Sequence, residues 1–321
     1  MNLEGSGALG LGPGSNQQPL PATVTKAVKD FLARDRVPNT KKAFSSDLRK
    51  FVAVFGKDRV SEITGHDIAR HLDGLTTRNG EPVSGATYNR HFGTLLNFFR
   101  WLEKLKEERP DLRARLLRYT NPMAGMEKKK LPQRLPRPLS KDQVTTILGR
   151  IDSARDKALF TLLYDSGVRI QEALNLGVED VDFQTDRAWI QGKGGRERHT
   201  FLSQRAKHLL KRYLRTLGNP TSGPLFLSRQ YSEGEGRRLS YAMAHRLFRK
   251  YAEGIVSRGK PATIHQLRHA FGSERAGVVD ALALRQLMGH RSLRTTLQYD
   301  EVNPEAAQEA FRRYEASRMH T

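Results

Sequence analysis

Four short stretches in the second half of the chain carry side chains that could act on a phosphate. In "SGVRIQEALNL", Arg169 follows a helix-ending glycine and Glu172 stands three residues on. In "WIQGKGG", Lys193 sits at the tip of an expected hairpin. "TIHQLRHAFG" sets His265, Arg268 and His269 at i, i+3 and i+4, on one helix face close to a helix start. "MGHRSLRTTLQY" supplies His290 and, nine positions later, Tyr299. All four are cationic or hydrogen-bonding and poor in carboxylates. A helix N-terminus, an arginine fork and imidazole donors together suit an anion, so the expectation is a phosphate cradle. Tyr299 stands among threonines and arginines, not in an apolar stripe, so it is expected to face a phosphate and not a core.

Metal chemistry fits these residues less well. "HQLRH" has the His-x-x-x-His spacing of a helical zinc site, but Gln266 occupies the place of the glutamate base and Arg268 would set a cation beside the metal. Glu179, Asp180 and Asp182 could suggest a divalent-metal nuclease, yet they read as a helix-to-strand turn and no second carboxylate cluster stands out. No Gly-x4-Gly-Lys-Ser/Thr loop for a nucleotide is present. No metal or other cofactor is expected. Zero cysteines exclude disulfides, thiol nucleophiles and Cys-ligated zinc.

The 321 residues suit two domains, each with its own core. With 55 Lys+Arg against 34 Asp+Glu, the formal charge of +21 points to a polyanion, with nucleic acid the first candidate. A membrane partner is not expected, because no run of about 18 apolar residues exists. The fold class expected is mainly α with a small antiparallel β-sheet. Residues 1–19, rich in Gly and broken by Pro, read as a disordered tail that could recruit an accessory protein. Residues 20–118 read as a helical bundle. In "NTKKAFSSDLRKFVAVFG", Phe44, Leu48, Phe51, Val52 and Phe55 form one apolar face, with Asn39 or Thr40 as cap and Gly56 as stop. A second long helix stripes Tyr88, Phe92, Leu95, Leu96, Phe99 and Leu102, with shorter helices near 22–34 and 66–75. Residues 119–138, rich in Pro and positive charge, read as a linker.

The second domain, 139–321, opens with Ser140 and Gln143 spaced as a capping box. A helix then stops at Gly167, and a hairpin turns at Gly194 and Gly195 before helices return. Lys41, Lys42, Arg49 and Lys50, off the apolar stripe, are candidate DNA contacts together with Arg90 and the run Lys128, Lys129 and Lys130.

In their order, "SGVRIQEALNLGVEDVDF", "GKGGRERHTFL", "HQLRHAFG" and "MGHRSLRTTLQY" resemble the active-site set of the tyrosine recombinases, the phage-type integrases and their resolvase and transposon relatives. The resemblance covers the second domain and, more loosely, the helical one. It implies a C-shaped two-domain clamp on duplex DNA, with a SAM-like core-binding domain and a catalytic domain. By that resemblance Tyr299 is the nucleophile that forms a 3′-phosphotyrosine link, and Arg169, Lys193, His265, Arg268 and His290 complete the catalytic set. Glu172 and His269 support it, while Gln171 stands where a serine is common. The resemblance further implies specific recombination sites, a homotetramer on DNA, a C-terminal amphipathic helix docking on a neighbouring protomer, and a cytoplasmic, nucleoid-associated enzyme. The rival readings are a type IB topoisomerase and a catalytically silent DNA-binding protein.

Overall fold

Thr23 caps the first helix, α1 (Val24–Ala33), through its side-chain oxygen. The computed structural model describes residues 23–34, 38–108, 119–132, 137–192, 197–228, 237–276, 278–290 and 292–300. They fall into two compact units, Met1–Gln133 and Arg134–Thr321. In the first unit α1 is followed by α2 (Pro38–Phe55), α3 (Gly65–Asp73) and α4 (Gly85–Glu108). The expected caps of α2, Asn39 and Thr40, instead lie inside its first turn, because the helix starts at Pro38. Proline fits that position: its fixed φ is already helical and the N–H it lacks would have no partner there.

The two apolar stripes share one core, with Leu48, Phe51 and Phe55 of α2 buried together with Phe92, Leu95, Phe99 and Leu102 of α4. Phe98 and Trp101, outside the single stripe, are buried as well. The reason is that α4 is covered on two sides: Phe98 and Trp101 pack on Phe31 of α1 at 5.4 and 5.3 Å, while Phe99 meets Phe51 of α2 at 6.0 Å.

The segment expected as a linker is not free chain over its first half. Tyr119 and Met123 are buried in the helical unit's core. Asn89 Nδ2 donates to the Lys129 carbonyl at 2.8 Å, and Lys129 N donates to Asn89 Oδ1 at 2.9 Å. Two apolar side chains and a paired amide hold this stretch where Pro and Lys content alone suggested none.

The second unit is built around α6 (Ala154–Ser166), preceded by α5 (Lys141–Gly149) with the expected Ser140–Gln143 capping box. Nine of the thirteen residues of α6 are buried, so it lies within the core rather than on its surface. It ends at Gly167, whose φ of +64° suits glycine. A short helix α7 (Ile170–Asn175) leads into an antiparallel sheet, β1 (Val181–Asp182), β2 (Arg187–Gln191) and β3 (Glu197–Phe201), in that order. Then come α8 (Gln204–Arg215), α9 (Tyr241–Tyr251), the small pair β4 (Val256–Ser257) and β5 (Lys260–Pro261), and α10 (His265–Arg275). The described chain closes with α11 (Ala281–Met288) and α12 (Leu293–Asp300). Helices α8 and α10 pack on α6, which brings the start of α10 to the end of α6. Among the described residues no helix is long and apolar enough to cross a membrane. The Gly-rich tail, Lys193 and the expected C-terminal docking helix lie outside the described residues.

Candidate active site

Two chain turns, after α6 and after α11, are tied together at three backbone carbonyls. Arg268, one turn into α10 and buried, donates to the Gly167 carbonyl at the end of α6 and, at 2.6 Å, to the Met288 carbonyl at the end of α11. Arg169, at the start of α7, donates to the next carbonyl, Gly289, at 3.1 Å. Gly289 turns the chain with φ +61°, a conformation that glycine enters without strain. Two guanidinium groups thus hold the turn that delivers His290.

Glu172 fixes Arg169 twice: it takes the Arg169 backbone N–H and one guanidinium nitrogen, each at 2.9 Å. Burial pushes the Glu172 carboxyl up, but the bonds from Arg198 and from Arg169 outweigh it and hold the group below its ordinary range. It therefore remains a carboxylate at neutral pH.

Tyr299, in the last turn of α12, is only 3% exposed. Its hydroxyl lies 3.0 Å from His269 Nδ1, and its ring stacks on His290, with centroids 6.1 Å apart and planes within 6°. His290 is fastened in turn by a 2.9 Å bond between its Nδ1 and the buried Thr296 hydroxyl. A Cβ at Gly272 would stand 2.8 Å from the tyrosine ring, so α10 offers the one side chain that lets the phenol lie against it. The ring also joins Phe271, Ala276, Leu284 and Met288 in a small apolar cluster. This corrects the expectation that Tyr299 avoids a core: its ring is core, and only its hydroxyl enters the polar pocket, as an amphipathic phenol allows.

The surroundings keep the histidines neutral. Burial, and then the Arg268 and Arg169 charges, pull His290 down to about 4. Burial, His265 and Arg268 bring His269 to about 4. His265 opens α10 on the solvent side, and partial desolvation followed by Arg268 and Arg169 lowers it too. Burial lifts the Tyr299 hydroxyl above its usual value, and the two arginines offset this only in part. Arg268 itself falls to about 10, chiefly from burial and then from Arg169, and remains a cation at neutral pH. The imidazole bonded to the phenol is thus His269.

Among the described residues no three His, Asp or Glu side chains converge as metal ligands. The carboxylates weighed against a nuclease are occupied locally. Glu179 takes the Gly223 N–H, Asp180 the Gly177 N–H, and Asp182 the Gln184 and Thr185 N–H groups.

Residues 137–306, more than half of the chain, match the phage integrase family, and residues 29–106 match its N-terminal SAM-like domain. The chain belongs to the phage integrase family. It is 30% identical over 281 residues to the tyrosine recombinase XerC of Alcanivorax borkumensis, covering 83% of this chain and 84% of that protein. To the tyrosine recombinase XerA of Pyrococcus horikoshii it is 34% identical over 186 residues, 57% of this chain and 62% of that one. In fold it is similar to XerH site-specific recombinase bound to palindromic difH substrate, with a TM-score of 0.67 at 21% identity over 91% of this chain and 85% of that one. A lambda integrase dimer bound to a COC′ core site gives 0.65 at 19%, over 86% and 75%. Family and relatives together make this phage integrase a tyrosine recombinase, an enzyme of site-specific recombination.

In this integrase one residue escaped the sequence reading. Arg198, on β3, donates to Glu172 Oε2 at 2.8 Å and lies so close to Gly289 that a Cβ there would stand 2.6 Å from its Nε. The signal was present in the alternation of β3: Arg198 shares the inward side with buried Thr200, and an inward arginine needs a carboxylate. The candidate DNA contacts differ in how free they are. Lys41, Lys42, Arg49, Lys128 and Lys130 are exposed. Lys50 donates to the Thr76 carbonyl at 3.0 Å. Arg90 is committed to the buried Asp47, and Lys129 pairs with Asp73 at 2.9 Å while lying over the Tyr88 ring.

Proposed function

We propose that this recombinase exchanges strands of duplex DNA at specific sites through a 3′-phosphotyrosine intermediate, with Tyr299 as nucleophile. The Tyr299 oxygen attacks the phosphorus, the bond to the 5′-oxygen breaks, and a partner strand's 5′-hydroxyl later reverses the step. One ester replaces another, so no nucleotide is consumed. Arg169, Arg268, His265 and His290 serve the charge gathered on the pentacoordinate phosphorus, a task that a nuclease gives to metal ions. Lys193 protonates the leaving 5′-oxygen. Glu172 holds Arg169 at its post.

The observation that carries this reading is the gathering of Arg169, of Arg268 and His269 from α10, and of His290 about one buried tyrosine, whose hydroxyl His269 bonds. The charge of +21 supports a DNA partner, as do relatives solved on DNA. On this reading residues 20–118 and 139–321 close on the duplex as a clamp, with the segment 119–138 along its backbone. The active assembly is a homotetramer, the form in which lambda integrase was solved on a Holliday junction. The enzyme then works in the cytoplasm, on the nucleoid.

The test is covalent capture: the protein is incubated with a fragment library of its source DNA in EDTA, stopped with SDS, and compared with Tyr299→Phe. Protein-linked DNA that disappears in the variant is the expected result. Tight specific binding with no adduct would leave a DNA-binding protein instead, and relaxation of supercoils without joined partners a topoisomerase.

A further inference from the structure

We propose that His269 is a catalytic residue, the base that takes the Tyr299 proton as the phosphotyrosine bond forms. The inference rests on Tyr299 being the nucleophile, and it assigns the proton that this reading leaves without a destination.

Three imidazoles of the site could take that proton, and geometry separates them. His290 meets the tyrosine ring face to face and spends its Nδ1 on Thr296 Oγ1, 2.9 Å away. His265 makes no hydrogen bond to the hydroxyl among the described residues, and its side chain lies toward solvent. His269 alone bonds the hydroxyl, through Nδ1 at 3.0 Å. The direction of that bond follows from hydrogen-bond accounting. A buried phenol O–H without an acceptor is costly, and Nδ1 is the one acceptor bonded to it among the described residues. The phenol therefore donates, Nδ1 accepts, and the imidazole proton sits on Nε2.

The charged and titratable groups facing this pair are His265 and Arg268 from α10, Arg169 from the start of α7, and His290 ahead of α12. Burial first, and then His265 and Arg268, disfavour a cation on His269, so its ring rests neutral and keeps its lone pair. In the free protein the proton stays on oxygen. As the Tyr299 oxygen bonds to phosphorus it loses basicity, and the proton passes to His269 Nδ1 while the bond to the 5′-oxygen breaks and that oxygen takes a proton from Lys193. The DNA phosphate, entering as an anion, stabilises the imidazolium that results.

The experiment measures the rate of adduct formation on the duplex fragments recovered by capture, using the full chain, His269→Asn, and both proteins with 3,5-difluorotyrosine at position 299. Fluorination makes the phenol more acidic and so replaces part of what a base supplies, whereas it does nothing for a ring that is merely misplaced. His269→Asn is expected to slow the adduct by about 10²-fold with DNA affinity unchanged. With difluorotyrosine the same substitution is expected to cost less than about tenfold, a contraction of the deficit that marks lost general-base help. An unchanged rate in His269→Asn would overturn the proposal, as would an equal deficit with either tyrosine, which marks a positioning role only. If adducts persist in Tyr299→Phe, or none form with the unaltered protein, the fault lies with the nucleophile assignment itself.

Discussion

The second unit holds two apolar clusters of very different kind. The larger is centred on α6, where Phe160 is fully buried and packs edge-on against Phe248 at 5.5 Å. The smaller has five buried residues, Phe271, Ala276, Leu284, Met288 and Tyr299, and it holds α11 and α12. The large cluster contains none of the residues assigned to catalysis, and the small one contains the nucleophile. A handful of buried side chains cannot give the local stability of a full core, so the tyrosine rides on the part of the unit that opens most easily. Chemistry on a polymer as large as DNA needs such a part, because the site around the hydroxyl must open for a phosphate to enter. Arg268 joins the two clusters through the Gly167 and Met288 carbonyls.

The contrast can be broken from either side. Phe160→Ala should have the largest effect, a loss of about 3–5 kcal/mol that lowers the urea midpoint of the whole unit. Arg268→Ala removes the link and a cationic donor together. Adduct formation should fall by about 10²–10³, roughly 3–4 kcal/mol, in the covalent capture assay. Leu284→Ala cuts the small cluster alone and should cost about 2 kcal/mol there, at the low end for such truncations. Hydrogen exchange should quicken in α11 and α12 while α6 stays protected; exchange rising equally in both would mean that the clusters fold as one.

Acid probes the same contrast without any substitution. Burial holds His269 and His290 at about 4, below the ordinary value of 6.5, helped by His265 and Arg268 at the first and by Arg268 and Arg169 at the second. Between those values the unfolded chain binds more protons than the folded one, so stability is whole above about 6.5 and declines as pH falls toward 4. Both histidines border the small cluster, and exchange in α12 should rise over this window before exchange in α6.

Most of the site was legible because its residues fall in short motifs. The i, i+3, i+4 spacing of His265, Arg268 and His269 became one face of α10, and Gly167 became a left-handed helix end. What periodicity could not supply were contacts between distant motifs. His269 and Tyr299 are thirty positions apart, and their bond exists only because α10 and α12 pack. The stripe on α4 likewise omitted Phe98 and Trp101, since one-sided amphipathicity cannot anticipate a helix covered on two sides. Proline and lysine content made 119–138 read as linker, although Tyr119 and Met123 belong to a core.

By itself the sequence determined the chemistry on offer: a cationic, carboxylate-poor set with one tyrosine, on helices whose starts and stops local rules describe. Residue type and short-range spacing suffice for that, because caps, turns and helix faces are set within a few residues. Only the tertiary structure decided which imidazole meets the phenol, that Arg198 shares Glu172 with Arg169, and that the nucleophile's ring lies in a small core. These depend on how separate elements pack, and packing is fixed by shape and burial across the whole unit.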